Sequence, residues 1–232
     1  AIYTVLFGNL RKSDLLTDRR HAVPGPAFAG VYLWDSAFIS IIWKDWDVTV
    51  AADILMSVIE LRDGDRLQHV VADFITSVYT QPPLIAWAAT QVAAEMAPAQ
   101  RLKFYGEIYR PLIAYHEWLK ENRRLKSGLY AWAHPYESGK ENAPRFSSRD
   151  ESVLEDTRRL ASPDFSAYVV MQCEALAEMA RQLNLSDEVG RFELEAHGIR
   201  EAMNIELWHD ADGLYYDRDI ETGAFIRSRT VA

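Results

Sequence analysis

His134-Pro135-Tyr136-Glu137-Ser138-Gly139-Lys140-Glu141-Asn142-Ala143-Pro144-Arg145-Phe146 interrupts a chain that otherwise reads as helix after helix. Gly139 and the two prolines mark the stretch as loop rather than helix interior. It gathers two carboxylates, an amide, a guanidinium and aromatic rings. Rings can stack on the apolar faces of a pyranose. Carboxylates can bind its hydroxyls or move a proton to a glycosidic oxygen.

Outward from this loop the apolar spacing predicts helices in pairs. Upstream, Pro98–Asn122 carries Leu102, Tyr105, Ile108, Leu112, Tyr115 and Leu119 on one face. Pro82 and Pro83 open a helix over Leu84–Met96. Before it, Asp47–Arg62 has Val50, Ile54, Val58 and Leu61 at helical spacing, and Asp63-Gly64-Asp65 ends it. Trp34–Trp43 reads as another helix, and Ala1–Leu10 as the end of one. Downstream, Asp164–Leu185 and Ser186–Leu207 form a pair, with Ser186 as N-cap. Leu214-Tyr215-Tyr216, a turn through Glu221-Thr222-Gly223, and Ala224-Phe225-Ile226 read as a hairpin. The loop around residue 140 spans roughly 40 residues, a length that usually means function or disorder, and its aromatics favour function.

The expectation is an all-α (α/α)6 toroid, present in part, with about seven helices and a small β-hairpin. Six closed hairpins need twelve helices, so residues 1–232 are expected to be a single partial catalytic domain lacking its C-terminal hairpins.

Composition narrows the function. The net charge of −9 argues against a nucleic-acid partner. The basic doublets Arg19-Arg20 and Arg123-Arg124 read as solvated loop or helix-end charges. No apolar run approaches a membrane span, and Cys173, the only cysteine, reads as a small buried hydrophobe. With one cysteine and no visible signal segment, a cytoplasmic location is favoured. Asp210, Asp212, Asp217 and Asp219 lack the spacing of an EF-hand, and the histidines are scattered, so no metal and no cofactor are expected. Seven tryptophans suit a carbohydrate cavity.

Several stretches, in order, resemble the six-hairpin glycosidases near glycoside hydrolase family 63 and the mannosylglycerate hydrolases. Tyr32-Leu33-Trp34-Asp35-Ser36-Ala37-Phe38 resembles their WDSAF motif. Asp63-Gly64 with His69 resembles a DG-x-x-PH turn, and Thr80-Gln81-Pro82-Pro83-Leu84 an SQPP helix start. His134–Phe146 resembles HPWESG-x-DNSPRW, Asp164-Phe165-Ser166 a DLN, and Trp208 to Gly223 a W-x-x-x-DGLYYD-x-x-x-x-TG hairpin. The resemblance implies an inverting α-glycosidase for mannosides or glucosides, with a small carbohydrate as its partner. Its two carboxylates stand roughly 6.5–9.5 Å apart to admit water.

The family's general acid is the Asp of ESG-x-D, and Glu141 holds that position here, one methylene longer. Glu137 is the runner-up. A working acid is protonated, which calls for partial burial or a nearby carboxylate. The family's general base falls in its C-terminal half, with no counterpart here, so this portion alone is expected to be inactive. Trp34 is expected as a stacking platform and Asp35 as a hydroxyl acceptor or helix cap. Gln81 would exchange hydrogen bonds with a sugar hydroxyl. Trp132 and Tyr136 flank the motif, Tyr136 standing where the family has Trp. Asn142 and Glu137 join the substrate-binding set, Arg145 either meets an acidic aglycone or pairs with Glu137, and Phe146 packs. Asp164 is expected to cap the next helix while facing the pocket. Two other functions stand beside hydrolysis: a catalytically lapsed sugar-binding toroid, and a sugar epimerase. The epimerase needs paired histidines, and only His69 and His134 lie on candidate loops.

Overall fold

The computed structural model describes residues 2–12, 16–73, 75–146 and 156–229. Seven α-helices lie among them: α1 Ile2–Asn9, α2 Leu33–Trp43, α3 Val48–Glu60, α4 Ile85–Ala94, α5 Pro98–Arg123, α6 Pro163–Gln182 and α7 Ser186–Glu206. The expected pairs are present, since α2 packs on α3, α4 on α5 and α6 on α7.

Composition decides how deep α4 and α7 lie. Helix α4 is Ala-rich, and Ile85, Ala86, Ala88, Ala89, Val92 and Ala93 are all buried. Small side chains around its circumference let it lie between α2 and α6 while also touching α3 and α5. A helix apolar on most sides has to be buried. Helix α7 buries only Phe192, Ala196 and Ile199, so it lies outside with one face inward. Thus α2, α4 and α6 touch in one row, and α3, α5 and α7 are their partners in the pairs.

Local chemistry sets the boundaries. The Asp47 carboxylate accepts from the Thr49 and Val50 N–H groups and starts α3. Pro98 occupies the first turn of α5, where no N–H is needed. Leu102 departs from the buried face expected for α5, being exposed, whereas Phe104, Tyr109 and His116 are buried. Ser186 is the first residue of α7 and Leu185 its cap, without a side-chain hydrogen bond. The Leu185 N–H already bonds the Ala180 carbonyl, so the turn from α6 is closed through the backbone.

The expected hairpin has a different register. Leu214-Tyr215 pairs back onto Trp208-His209, not forward onto Phe225-Ile226. Phe225-Ile226 pairs with Asp217-Arg218, and Asp217–Asp219 also pairs with Leu160-Ala161. The turn at Asp212-Gly213, with Gly213 at φ 63°, folds the chain back first. This three-stranded sheet brings Asp217 to the start of α6. A second small sheet, Val31-Tyr32 with Val70–Ala72 and Ile75-Thr76, delivers the chain to the start of α2. Among the described residues no helix is long and apolar enough to cross a membrane.

Candidate active site

Three loop segments meet at the N-terminal end of α2. The first N–H groups of a helix have no partner within it. Here the Leu33 N–H donates to the His69 carbonyl at 3.1 Å, and the Trp34 N–H donates to Gln81 Oε1 at 3.2 Å. The segment before α4 is thereby tied to the segment before α2. Gln81 is buried, and with its oxygen committed, its amide nitrogen is the group it can offer.

The third segment is the loop after α5. Pro135–Ser138 forms a short 3₁₀ turn, capped by His134 Nδ1, which accepts from the Tyr136 N–H at 3.1 Å. Gly139 follows at φ 67° with its Cα against the Trp34 indole. A Cβ at this position would clash with that ring, so both the conformation and the close approach require glycine.

Together these segments enclose a cavity of about 420 Å³. Trp34, Asp35, Gln81, Tyr136 and Glu141 line it, joined by Gly139, Tyr32, His69, Phe28 and Pro24. The volume is in the range of small-ligand pockets. Burial pushes the Asp35 carboxyl above its ordinary value, opposed by hydrogen bonds from its own backbone and from Trp34. Burial pushes the His69 imidazole down, against the pull of the Glu141 and Glu137 carboxylates. The Tyr32 hydroxyl is raised by burial and by Asp35. Tyr136 is half exposed and leans on a stack of His134 and Tyr79, ring centroids 4.6 Å apart.

Glu141 stands exposed at the rim, with no hydrogen bond or ion pair among the described residues. The partial burial expected for it is not supplied here.

The remaining expected residues lie elsewhere. Glu137 is fully buried, and both its oxygens bind Arg123, at 2.6 and 2.9 Å. The Thr80 and Ala133 N–H groups donate to the same carboxylate, at 3.2 and 2.8 Å. With four donors it has no acceptor left for a sugar, and it does not line the cavity, which removes it as acid and as binding group. Arg145 is buried and pairs with Asp164 at 2.5 Å and Asp217 at 3.4 Å, not with Glu137. Its guanidinium lies over Phe146, which packs as expected. Trp132 is buried flat on Phe165, and its N–H donates to Asp164 at 3.2 Å, so it offers no face to the cavity. Asp164 is in the first turn of α6, with Ser162 as cap, and is turned inward by Trp132 and Arg145. Asp35 likewise sits inside the first turn of α2, with Tyr32 as cap, where its charge favours the helix end. Asn142 is exposed and does not line the cavity.

Sequence reasoning missed Arg123, taken as a solvated charge, although a motif carboxylate inside a fold requires a cation. It also passed over Phe28 and Pro24 as cavity walls. Among the described residues one group could gather round an ion: His116, Cys173 and Glu195, between α5, α6 and α7. None lines the cavity. The His116 nitrogens already meet Gln172 at 3.1 Å and Glu195 at 3.3 Å. The Asp212 and Asp219 carboxylates bind Arg227 and Arg159, as Asp217 binds Arg145.

Paired helices in a row, with a ring-lined acidic cavity at the loops between pairs, fit part of an (α/α)6 toroid of the glycosidase type. Residues 29–232 match the family model of the mannosylglycerate hydrolase MGH1-like glycoside hydrolase domain, and the chain belongs to that family. A mannosylglycerate hydrolase from Thermus thermophilus is 30% identical over 49% of this chain and 33% of its own length. One from Rubrobacter radiotolerans is 26% identical over 66% of this chain and 46% of its own. The chain thus spans between a third and about half of these curated relatives. A solved family 63 mannosylglycerate hydrolase, also from Thermus thermophilus and in complex with glucose, superposes with a TM-score of 0.84 at 21% identity, covering 98% of this chain and 68% of that one. A neutral trehalase from Saccharomyces cerevisiae gives 0.66 at 14% identity, covering 93% and 52%. These structural likenesses establish the partial toroid fold.

Proposed function

We propose that residues 1–232 are a single partial catalytic domain, the acid-bearing part of an inverting glycoside hydrolase for an α-linked mannoside or glucoside. The observation that carries this reading is the cavity, where the Glu141 carboxyl, the Asp35 carboxylate and the Trp34 and Tyr136 rings face one space. The names of the curated relatives, both mannosylglycerate hydrolases, support the same substrate class.

In this reading Trp34 and Tyr136 pack on the sugar, Asp35 accepts from a hydroxyl and the Gln81 amide donates to another. Glu141 gives its proton to the glycosidic oxygen as the bond to the anomeric carbon breaks, and the aglycone leaves as an alcohol. Water attacks from the opposite face, losing its proton to a second carboxylate. That base is assigned to the part of the relatives' length that this chain does not span.

The test is hydrolysis of mannosylglycerate by the full-length protein, with the product anomer followed by NMR. Release of β-mannose first is expected. First release of α-mannose would overturn inversion. Tight binding without cleavage would favour a lapsed sugar-binding toroid, a second reading motivated by Glu at position 141 and by its exposure.

A further inference from the structure

Glu141 has no hydrogen-bond or ion-pair partner among the described residues, so the backbone beneath it sets its position. That backbone is pinned on both sides. Downstream, the Ala143 N–H closes a turn onto the Lys140 carbonyl, and Arg145 plunges between Asp164 and Asp217. Upstream the anchor is Glu137. Arg123, the last residue of α5, holds both its oxygens, and the pair is almost wholly withdrawn from solvent. The same carboxylate accepts from Thr80, the neighbour of Gln81, and from Ala133, at the loop entrance.

We infer that Arg123 and Glu137 are positioning residues that set where Glu141 stands relative to Gln81 and Trp34. Neither lines the cavity. One buried ion pair welds the segment carrying Gln81 to the loop carrying Glu141, and Gly139 then seats that loop on Trp34. The fork of a guanidinium is what this requires. It grips two oxygens in one plane, whereas an ammonium is a point charge that leaves the carboxylate free to turn. A turned Glu137 releases Thr80 or Ala133, and the loop shifts with it. The inference rests on Glu141 being the acid, and a misplacement of about 1 Å is enough to cost about 10²-fold in rate.

The expected signature is dependence on the leaving group. A glycosidic alcohol must be protonated as it departs, whereas fluoride leaves without a proton, so only the former needs an aligned acid. The experiment uses the full-length enzyme with mannosylglycerate and α-mannosyl fluoride as probes. Arg123→Lys and Glu137→Gln should each lower kcat on mannosylglycerate by about 10²-fold, with KM little changed. Both should keep most of their turnover of the fluoride, as should Glu141→Gln. Equal losses on the two probes would mark a merely structural pair and overturn the inference. Undiminished turnover of mannosylglycerate by both variants would overturn it as well. Failure of the underlying reading looks different: Glu141→Gln would itself keep hydrolysing mannosylglycerate, or the unaltered enzyme would be inert to both probes.

Discussion

Glu137 and Glu141 lie four residues apart on one loop and have opposite surroundings. Glu137 is closed off from solvent with a guanidinium and two backbone N–H groups on its oxygens. Glu141 stands exposed on a cavity wall, with no such partner among the described residues. A carboxylate held by four donors is fixed in place, which suits an anchor. A carboxylate with free lone pairs can turn toward a ligand, which suits the role proposed for Glu141. One loop separates the two tasks, and the separation comes from the packing around each residue, not from the residue type.

Five substitutions break or sharpen this contrast. The largest effect falls on Glu141. In the full-length protein Glu141→Gln should lower kcat on mannosylglycerate by about 10²–10⁴-fold, the usual contribution of general acid catalysis, with substrate affinity retained by equilibrium binding. Glu137→Ala tests the anchor through stability. Removing one partner strands the Arg123 charge where its side chain is only 10% exposed, so the loss should be about 3–5 kcal/mol by urea unfolding. Glu141→Ala, by contrast, should leave the urea midpoint nearly unmoved.

The downstream clamp adds a pH dependence. Burial pushes Asp217 up to about 6, opposed by the attraction of Arg145 and reinforced by the repulsion of Asp164. Its folded value therefore lies above its unfolded one. The stability it contributes is complete below about pH 4 and is lost as pH rises through about 6, a span of about 3 kcal/mol. Unfolding measured from pH 4 to 7 should show this slope, and Asp217→Asn should flatten it. The smallest effect is expected at the seat between the two glutamates. Gly139→Ala puts a side chain at positive φ and against Trp34, which should cost about 1–3 kcal/mol and perturb tryptophan emission.

The helices were legible because their signals are local. Pro98 at a first turn, Asp47 as a cap and the apolar spacing of Val50, Ile54 and Val58 act within a few residues, and all three are realised. The site was legible only in part. Trp34, Asp35, Gln81, Tyr136 and Glu141 do meet round one cavity. Glu137, Arg145, Trp132 and Asp164 belong to the same motifs but face inward, because each finds a partner distant in sequence. Leu214-Tyr215 was misread for a related reason. Its alternation fits either neighbour, and the turn at Gly213 made Trp208-His209 the nearer one.

By itself the sequence determined the order of helices and the loop that holds both glutamates. Those depend on backbone preference and on side-chain periodicity, which each segment carries with it. Which carboxylate is an anchor and which is free was decided by tertiary structure alone. Ion pairing and burial depend on distance in space, and Arg123 reaches Glu137 only once α5 has brought it to the start of the loop.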